Sequence, residues 1–359
     1  MKNIQPISAL KDLKELGLGA VPYEQRWQRQ PTCELWDLAP LKGLQIKFLY
    51  IGQAQVRNLL PIKDLPLTHL SICHTPVSDL SPLRQMPLEV LELIGTAVRD
   101  LTPLTGMKIK ELCLHDARIY SITPLSGMPL ERLDLSNTDV KDLTPLRGAP
   151  LKELNLSNTK AYNFNMLQGM NIVNLYLDNT QISDLMPLRG MPLERLSLNN
   201  TKVSSIMPLK GMRLRSLSLA NTAVKDFTPI KDMPLEQLNL RGCYLNDLSL
   251  VEAIPSLVHL DVSATNIRDI TPLKNLPLRW LAINDTAVKD IEPIKEMNQL
   301  RHLEIRNTRV RNLEPLRGSQ LVSIVLWEEL DPYTMGVLRT MPRLKVVNGR
   351  PWQRWFPGR

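Results

Sequence analysis

A unit of 21 residues recurs along almost the whole chain, and a repeat that short forces the fold to be a stack. The unit reads L-x-x-L-x-L-x-x-T-x-V-x-D-L-x-P-L-x-G-M-P. Its first leucine falls at Ile46, Leu67, Leu88, Ile109, Leu130, Leu151, Ile172, Leu193, Leu214, Leu235, Leu257, Leu278, Leu300 and Leu321, in steps of 21 residues with two steps of 22. A separate, earlier unit begins at Leu13. Twenty-one residues cannot bury an apolar face alone, so neighbouring units must cover one another. The two or three globular domains expected for 359 residues therefore give way to about fifteen stacked turns.

Each position has a physical reading. The x-L-x-L-x segment alternates with period two, which predicts a short strand with Leu91 and Leu93 of the Leu88–Thr96 unit pointing inward. Stacked turns pair such strands into a parallel sheet at about 4.8 Å per turn. Then comes a recurring threonine (Thr75, Thr96, Thr138, Thr159, Thr180, Thr201, Thr222, Thr265, Thr286, Thr308), replaced in three units by Ala54, Ala117 and Cys243. A hydroxyl both donates and accepts, so the expectation is a threonine ladder that bridges to the backbone of the next turn. The following V-x-D-L-x-P-L carries an aspartate before the apolar residue and a proline two residues after it. Asp caps helical turns and Pro suits their first residues, so a 3-10 turn is predicted on the outer side. Leu143 and Leu146 would close the core behind it, and Gly-Met-Pro would turn the chain into the next strand.

Composition agrees with a narrow aliphatic core: 43% of residues are hydrophobic but only 5% are aromatic. The 28 prolines are periodic, which marks a repeated corner and not disorder. A net charge of +8 is a mild excess, of the kind that keeps a long surface soluble. The four cysteines, Cys33, Cys73, Cys113 and Cys243, show no CxxC spacing and read as free thiols of a reducing cytoplasm. No apolar run reaches the roughly 18 residues of a membrane helix, and the first residues lack the apolar stretch of a signal peptide. A cytoplasmic location and no membrane contact are expected.

The ends break the pattern. Ile4-Gln5-Pro6-Ile7 matches the L-x-P-L corner, so the chain enters in mid-repeat, and the N-terminal turn is expected to be covered by a missing domain or another subunit. Residues 20–40 insert about twelve extra residues with Tyr23, Arg26, Trp27, Arg29 and Trp36, read as a loop over the first turn or a contact loop. The solenoid is assigned to residues 1–348 and a capping region to 327–359: a helix from Asp331-Pro332 to Thr340, a last strand at Leu344–Val347, and Trp352, Trp355 and Phe356 sealing the final layer.

The unit resembles the bacterial leucine-rich-repeat family in its internalin-like short form. It is similar also to repeat domains at the C-terminal ends of large planctomycete-type proteins, some of them Ser/Thr kinases. The resemblance covers roughly residues 1–348. It departs from the family pattern in placing Thr where Asn is usual, in a unit one residue shorter than the internalin form, and in the missing N-terminal cap. It implies an α/β fold: a right-handed, horseshoe-shaped solenoid with a parallel sheet on its concave side and short 3-10 turns outside. It also implies a recognition role within a larger bacterial polypeptide or assembly.

Enzymatic signatures are absent: there is no P-loop, GxGxxG after a strand, GxSxG, HRD, DFG or HExxH. The expectation is a non-enzymatic scaffold without cofactor, binding a partner protein through the outward residues at the second, fourth and sixth places after each unit's origin. Trp and Arg are the usual anchors of interfaces, which singles out Trp280 beside Arg241, Asp261, His302, Glu304 and Arg306, with Tyr176 and Arg195 on the same face. A second patch gathers His69, Cys73, Cys113, His115 and Asp134. Strands two turns apart are too distant for both cysteines to ligate one zinc at about 2.3 Å, so no metal site is expected. Two basic ridges, one after the Pro-Leu corner (Lys42 to Arg317) and one after Val (Arg57, Arg99, Lys141, Lys225, Arg268, Lys289, Arg311), could follow a polyanion. The second is expected to pair with the Asp row, and both carry almost no aromatics for stacking, so nucleic acid is not the expected partner. A structural spacer is the remaining alternative.

Overall fold

The computed structural model describes Ile4 and residues 12–19, 34–327 and 329–355. The Gln5-Pro6-Ile7 corner, Tyr23, Arg26, Trp27 and Arg29 of the insertion, Cys33 and Phe356 lie outside the described residues. The chain divides into two compact units, Met1–Gln181 and Ile182–Arg359.

In the first unit every repeat contributes one strand: β1 (Glu15–Gly19), β2 (Phe48–Gly52), β3 (His69–Cys73), β4 (Val90–Glu92), β5 (Glu111–Cys113), β6 (Arg132–Asp134), β7 (Glu153–Asn155) and β8 (Asn174–Tyr176). Each pairs in parallel with the next in chain order. Register never slips, because the same inward leucine must meet its counterpart: Leu112 lies opposite Leu133, and Leu133 opposite Leu154. A shift by one residue would turn every leucine to water. Pairing continues past the strand proper, since Leu135 N donates to Asn155 O and Asn137 N to Ser157 O, both at 2.9 Å.

The chain then reverses through a left-handed residue and a buried threonine. Asn137, Asn158, Asn179, Asn200 and Asn221 all have φ between 55 and 60°. The threonine after each turns inward, and its hydroxyl donates to a carbonyl of its own turn: Thr138 to Leu135 O at 2.6 Å, Thr159 to Leu156 O at 2.7 Å. The expected bridge between turns is therefore replaced by a local bond. In several repeats the threonine's own N–H donates to the same carbonyl, as from Thr159 N to Leu156 O at 3.1 Å, so the residue closes the turn with both its backbone and its hydroxyl. Where Cys243 stands in for Thr, its thiol does reach the previous turn, at Leu219 O 3.1 Å away. Between turns, the exposed flank beyond the threonine is held by one backbone bond per step, as from Asp139 N to Ile119 O (2.9 Å) and from Lys160 N to Val140 O (3.1 Å).

The V-x-D-L-x-P-L segment forms the predicted 3-10 turn, for example Thr102–Leu104 and Thr144–Leu146, with proline at its start and the flanking leucines buried. The aspartate accepts from the backbone N–H two residues on, at 2.8 Å for Asp100 and 2.9 Å for Asp142. Gly106, Gly127 and Gly148 then take φ of 72 to 77°, a conformation that suits glycine, and redirect the chain.

The second unit repeats this plan in β9 (Arg195–Ser197), β10 (Ser216–Ser218), β11 (Gln237–Asn239), β12 (His259–Asp261), β13 (Trp280–Ala282), β14 (His302–Glu304) and β15 (Ser323–Val325), again in parallel sequence. It ends on α1 (Pro332–Arg339), capped by the Asp331 carboxylate accepting from Thr334 N at 2.7 Å. Strand β16 (Val346–Val347) joins β15 in parallel, and β17 (Arg350–Pro351) folds back antiparallel on β16, a hairpin absent from the repeat rule. Trp352 is buried, and Trp355 Nε1 donates to Val347 O at 3.2 Å, which places both rings against the last strands. Among the described residues no helix is long and apolar enough to cross a membrane.

Candidate functional site

In most repeats the strand's central aliphatic residue is buried while the residues on either side are half-buried or exposed, as in Glu153–Asn155 and His302–Glu304, with Ser71 and Ala282 as buried exceptions. The outward residues thus form the columns the repeat predicts, and what they carry is free of the scaffold's demands.

In the second unit the pairing of β12, β13 and β14 sets His259, Trp280 and His302 side by side in one row. The adjoining row reads Asp261, Ala282, Glu304, and the small alanine lowers the surface between two acids. The third row is anchored by Asn284, which is 8% exposed. Its Oδ1 accepts from Arg306 N at 2.8 Å, its Nδ2 donates to Glu304 Oε2 at 2.6 Å, and its backbone N–H donates to Ser263 Oγ at 3.1 Å. Asp261 Oδ1 accepts from Ser263 N at 2.9 Å. Arg241 Nη2 lies 3.6 Å from Asp285 Oδ2, while Asn307 donates to the other carboxylate oxygen at 2.8 Å. Both acids beside Trp280 are therefore held in place before any ligand arrives. Burial above all, with His302 and Arg279 nearby adding to it, pushes His259 below the usual histidine range. The result is an aromatic row bordered by fixed carboxylates.

Six of the eight predicted residues come together here: Arg241, Asp261, Trp280, His302, Glu304 and Arg306. Arg195 lies on β9, opposite Ser216 of β10 and away from this cluster. Tyr176 belongs to β8 of the first unit.

The first unit has its own sheet-face features. A hollow of about 350 Å³ is lined by Phe48, Tyr50, His69, Val90, Glu92 and Arg132, among others, and a smaller one of about 180 Å³ by residues of β4 to β7. Phe48 and His69 rings sit 4.5 Å apart, and Arg132 Nη1 meets Glu111 Oε1 at 2.8 Å. Phe48 and Tyr50 were missed from sequence, although the column rule applied to the Ile46 unit selects both. The cysteines do not form a reactive centre. Burial pushes the Cys73 thiol up to about 11, and burial with the Asp134 charge pushes Cys113 up to about 12, so both are protonated at neutral pH. Cys73, Cys113 and Cys243 are free. His115 is engaged with Ser136 Oγ at 2.7 Å and Asp116 at 3.1 Å. Among the described residues no three His, Cys, Asp or Glu side chains are placed to hold a metal ion.

Pairing of the flank cations with the Asp row does not occur among the described residues. The aspartates turn to their own 3-10 turns, where the Thr side chain and then the backbone N–H hold Asp100, Asp142 and Asp226 below the usual carboxylate range. Charge pairing appears instead at the first place after the origin, where Glu89–Lys110 (2.9 Å), Glu131–Lys152 (2.8 Å) and Arg215–Glu236 (2.7 Å) link adjacent turns.

No protein-family model and no curated protein matches the chain. Solved structures do. An internalin of Listeria monocytogenes, InlF, is 23% identical with a TM-score of 0.69 over 83% of this chain and 85% of its own. A leucine-rich-repeat protein of Leptospira interrogans is 20% identical with a TM-score of 0.67 over 96% of this chain and 98% of its own. The ectodomain of the Arabidopsis thaliana receptor kinase GASSHO1 is 18% identical with a TM-score of 0.65, over 88% of this chain and 43% of that longer one. The chain has the leucine-rich-repeat solenoid fold, in the short-repeat form that the bacterial internalin-like proteins also build.

Proposed function

We propose that the chain is a non-enzymatic recognition scaffold that binds a partner protein through the sheet face of its second unit, with Trp280 as anchor. The observation that carries this reading is the row His259–Trp280–His302, flanked by carboxylates already fixed through Asn284 and Ser263. A half-buried tryptophan on a strand of the sheet offers a large apolar contact and little side-chain freedom to lose, and that combination dominates interface energies. Pre-set acids beside it would select a partner with complementary positive or hydrogen-bond-donating groups. The neighbouring plant ectodomain was solved in complex with CASPARIAN STRIP INTEGRITY FACTOR 2, so the fold lends itself to ligand capture.

The test is a pull-down from native lysate, comparing the wild type with a Trp280→Ala/Arg306→Ala variant at low and moderate salt, with circular dichroism to show that both are folded. A protein retained by the wild type and lost by the variant supports the reading. A partner held equally by both, or none at all, overturns it, the second outcome favouring a spacer.

A further inference from the structure

The flank where the chain leaves the sheet presents a second surface in the first unit. One column there, taken at 21-residue steps, reads Arg99, Tyr120, Lys141, Tyr162, so cation and aromatic alternate turn by turn. The basic ridge drawn from sequence skipped its two tyrosines, because it followed only the units with Lys or Arg after the core residue. Both tyrosines are 68% exposed, well above what a ring that seals a core would show. The column is rigid: backbone bonds beside it, Ala97 N to Val77 O (3.0 Å), Asp139 N to Ile119 O (2.9 Å) and Lys160 N to Val140 O (3.1 Å), tie each turn to the one before. In the neighbouring column Arg118 is exposed as well. Among the described residues Arg99, Arg118 and Lys141 form no ion pair, whereas Lys160 is neutralised by Asp139 at 2.5 Å.

We propose that this flank binds single-stranded nucleic acid, with bases stacked on Tyr120 and Tyr162 and phosphates on Arg99, Arg118 and Lys141. Rings at every second turn, with a cation between them, suit a strand that offers a π-face and a phosphate at each step. An acidic protein would use the cations but leave two highly exposed rings without a role. Asp100 and Asp142 border the column with their carboxylates committed to the N–H groups of Thr102 and Thr144. They keep the positive field modest, so the rings must supply much of the affinity. Three phosphate contacts at about 0.7 each give a salt dependence, log Kd against log salt, of about 2.

The test is fluorescence anisotropy with a labelled oligouridylate, using the whole chain. The wild type should bind with that slope of about 2. Tyr120→Ala/Tyr162→Ala should weaken binding by about 25-fold or more at every salt concentration without changing the slope, given at least fivefold per stacked base. Tyr120→Phe/Tyr162→Phe should restore the affinity, and Arg99→Ala/Lys141→Ala should flatten the slope. Trp280→Ala/Arg306→Ala should bind the oligonucleotide like the wild type, which separates this surface from the sheet face. Absence of binding at low salt, an unchanged affinity in the double alanine tyrosine variant, or equal competition by polyglutamate would each overturn the proposal.

Discussion

The residue before each buried threonine decides whether the chain can leave the sheet. It sits in the left-handed region in the described repeats with this turn, as Asn at 137, 158, 179, 200, 221 and 307, Asp at 116 and 285, Gly at 95 and 242, and also as Gln53, His74 and Ala264. Asn, Asp and Gly predominate because they visit this region at the least cost, a side chain that bonds locally or none at all easing the clash between Cβ and the carbonyl, while Gln53, His74 and Ala264 are held there by the surrounding turns. Some also link turns at the surface, with Asn221 donating to Asn200 at 2.8 Å and Asn307 to Asp285 at 2.8 Å. The asparagines of the repeat thus stand one place before the threonine, and the two residues divide the work of the turn. Sequence reading caught the threonine, whose spacing is nearly unbroken, and missed the asparagine, because a backbone angle leaves no hydrophobic pattern to read. Asn158→Val is expected to cost about 1–2 kcal/mol through its β-branched side chain at positive φ, and Asn158→Gly to be close to neutral. Urea unfolding of the two variants checks this, and equal losses would show that the angle is not what the site demands.

At the scale of the element, the 3-10 turn was fully legible. The Asp, the Pro two residues past the apolar position and the buried leucines on either side each have one physical role, and each is found in it. The charges around the turn were not legible, since sequence neighbours suggested Asp–Lys pairs while the aspartates in fact serve backbone N–H groups. That choice has a pH consequence. Asp100, Asp142, Asp226, Asp247 and Asp269 are all held below their ordinary range, first by the Thr or Ser hydroxyl and then by the backbone N–H. A carboxylate with a depressed folded pKa adds stability that is present above its unfolded value of about 3.9 and disappears as pH falls through the folded value. Denaturation midpoints should therefore hold steady from neutral pH to about 5 and fall steeply below about 4, and the fall should be shallower in a variant with several of these aspartates changed to Asn, which caps without titrating. An identical acid profile in wild type and variant would contradict the assignment.

At the scale of the molecule, the period alone predicted one strand per turn, the parallel pairing and the buried apolar set, because stacking leaves few other ways to cover a 21-residue unit. The columns of outward residues followed from strand alternation, so Trp280, His302, Glu304, Arg241, Asp261 and Arg306 could be grouped before their geometry was known. What sequence could not supply was the network through Asn284 that fixes Glu304 and ties in the Arg306 backbone, nor the lowered floor at Ala282, since both depend on which residues meet across strands. Arg195 was grouped by face without regard to distance along the stack, and the structure separates it from the cluster.

The most direct measurement is the affinity of the captured partner, by titration calorimetry, for Trp280→Ala and for the flank variant Arg268→Ala beside the wild type. An anchor residue predicts a loss of about 30-fold or more for Trp280→Ala, equivalent to at least about 2 kcal/mol, with Arg268→Ala close to the wild type. Equal affinities for Trp280→Ala and the wild type would contradict recognition through this face.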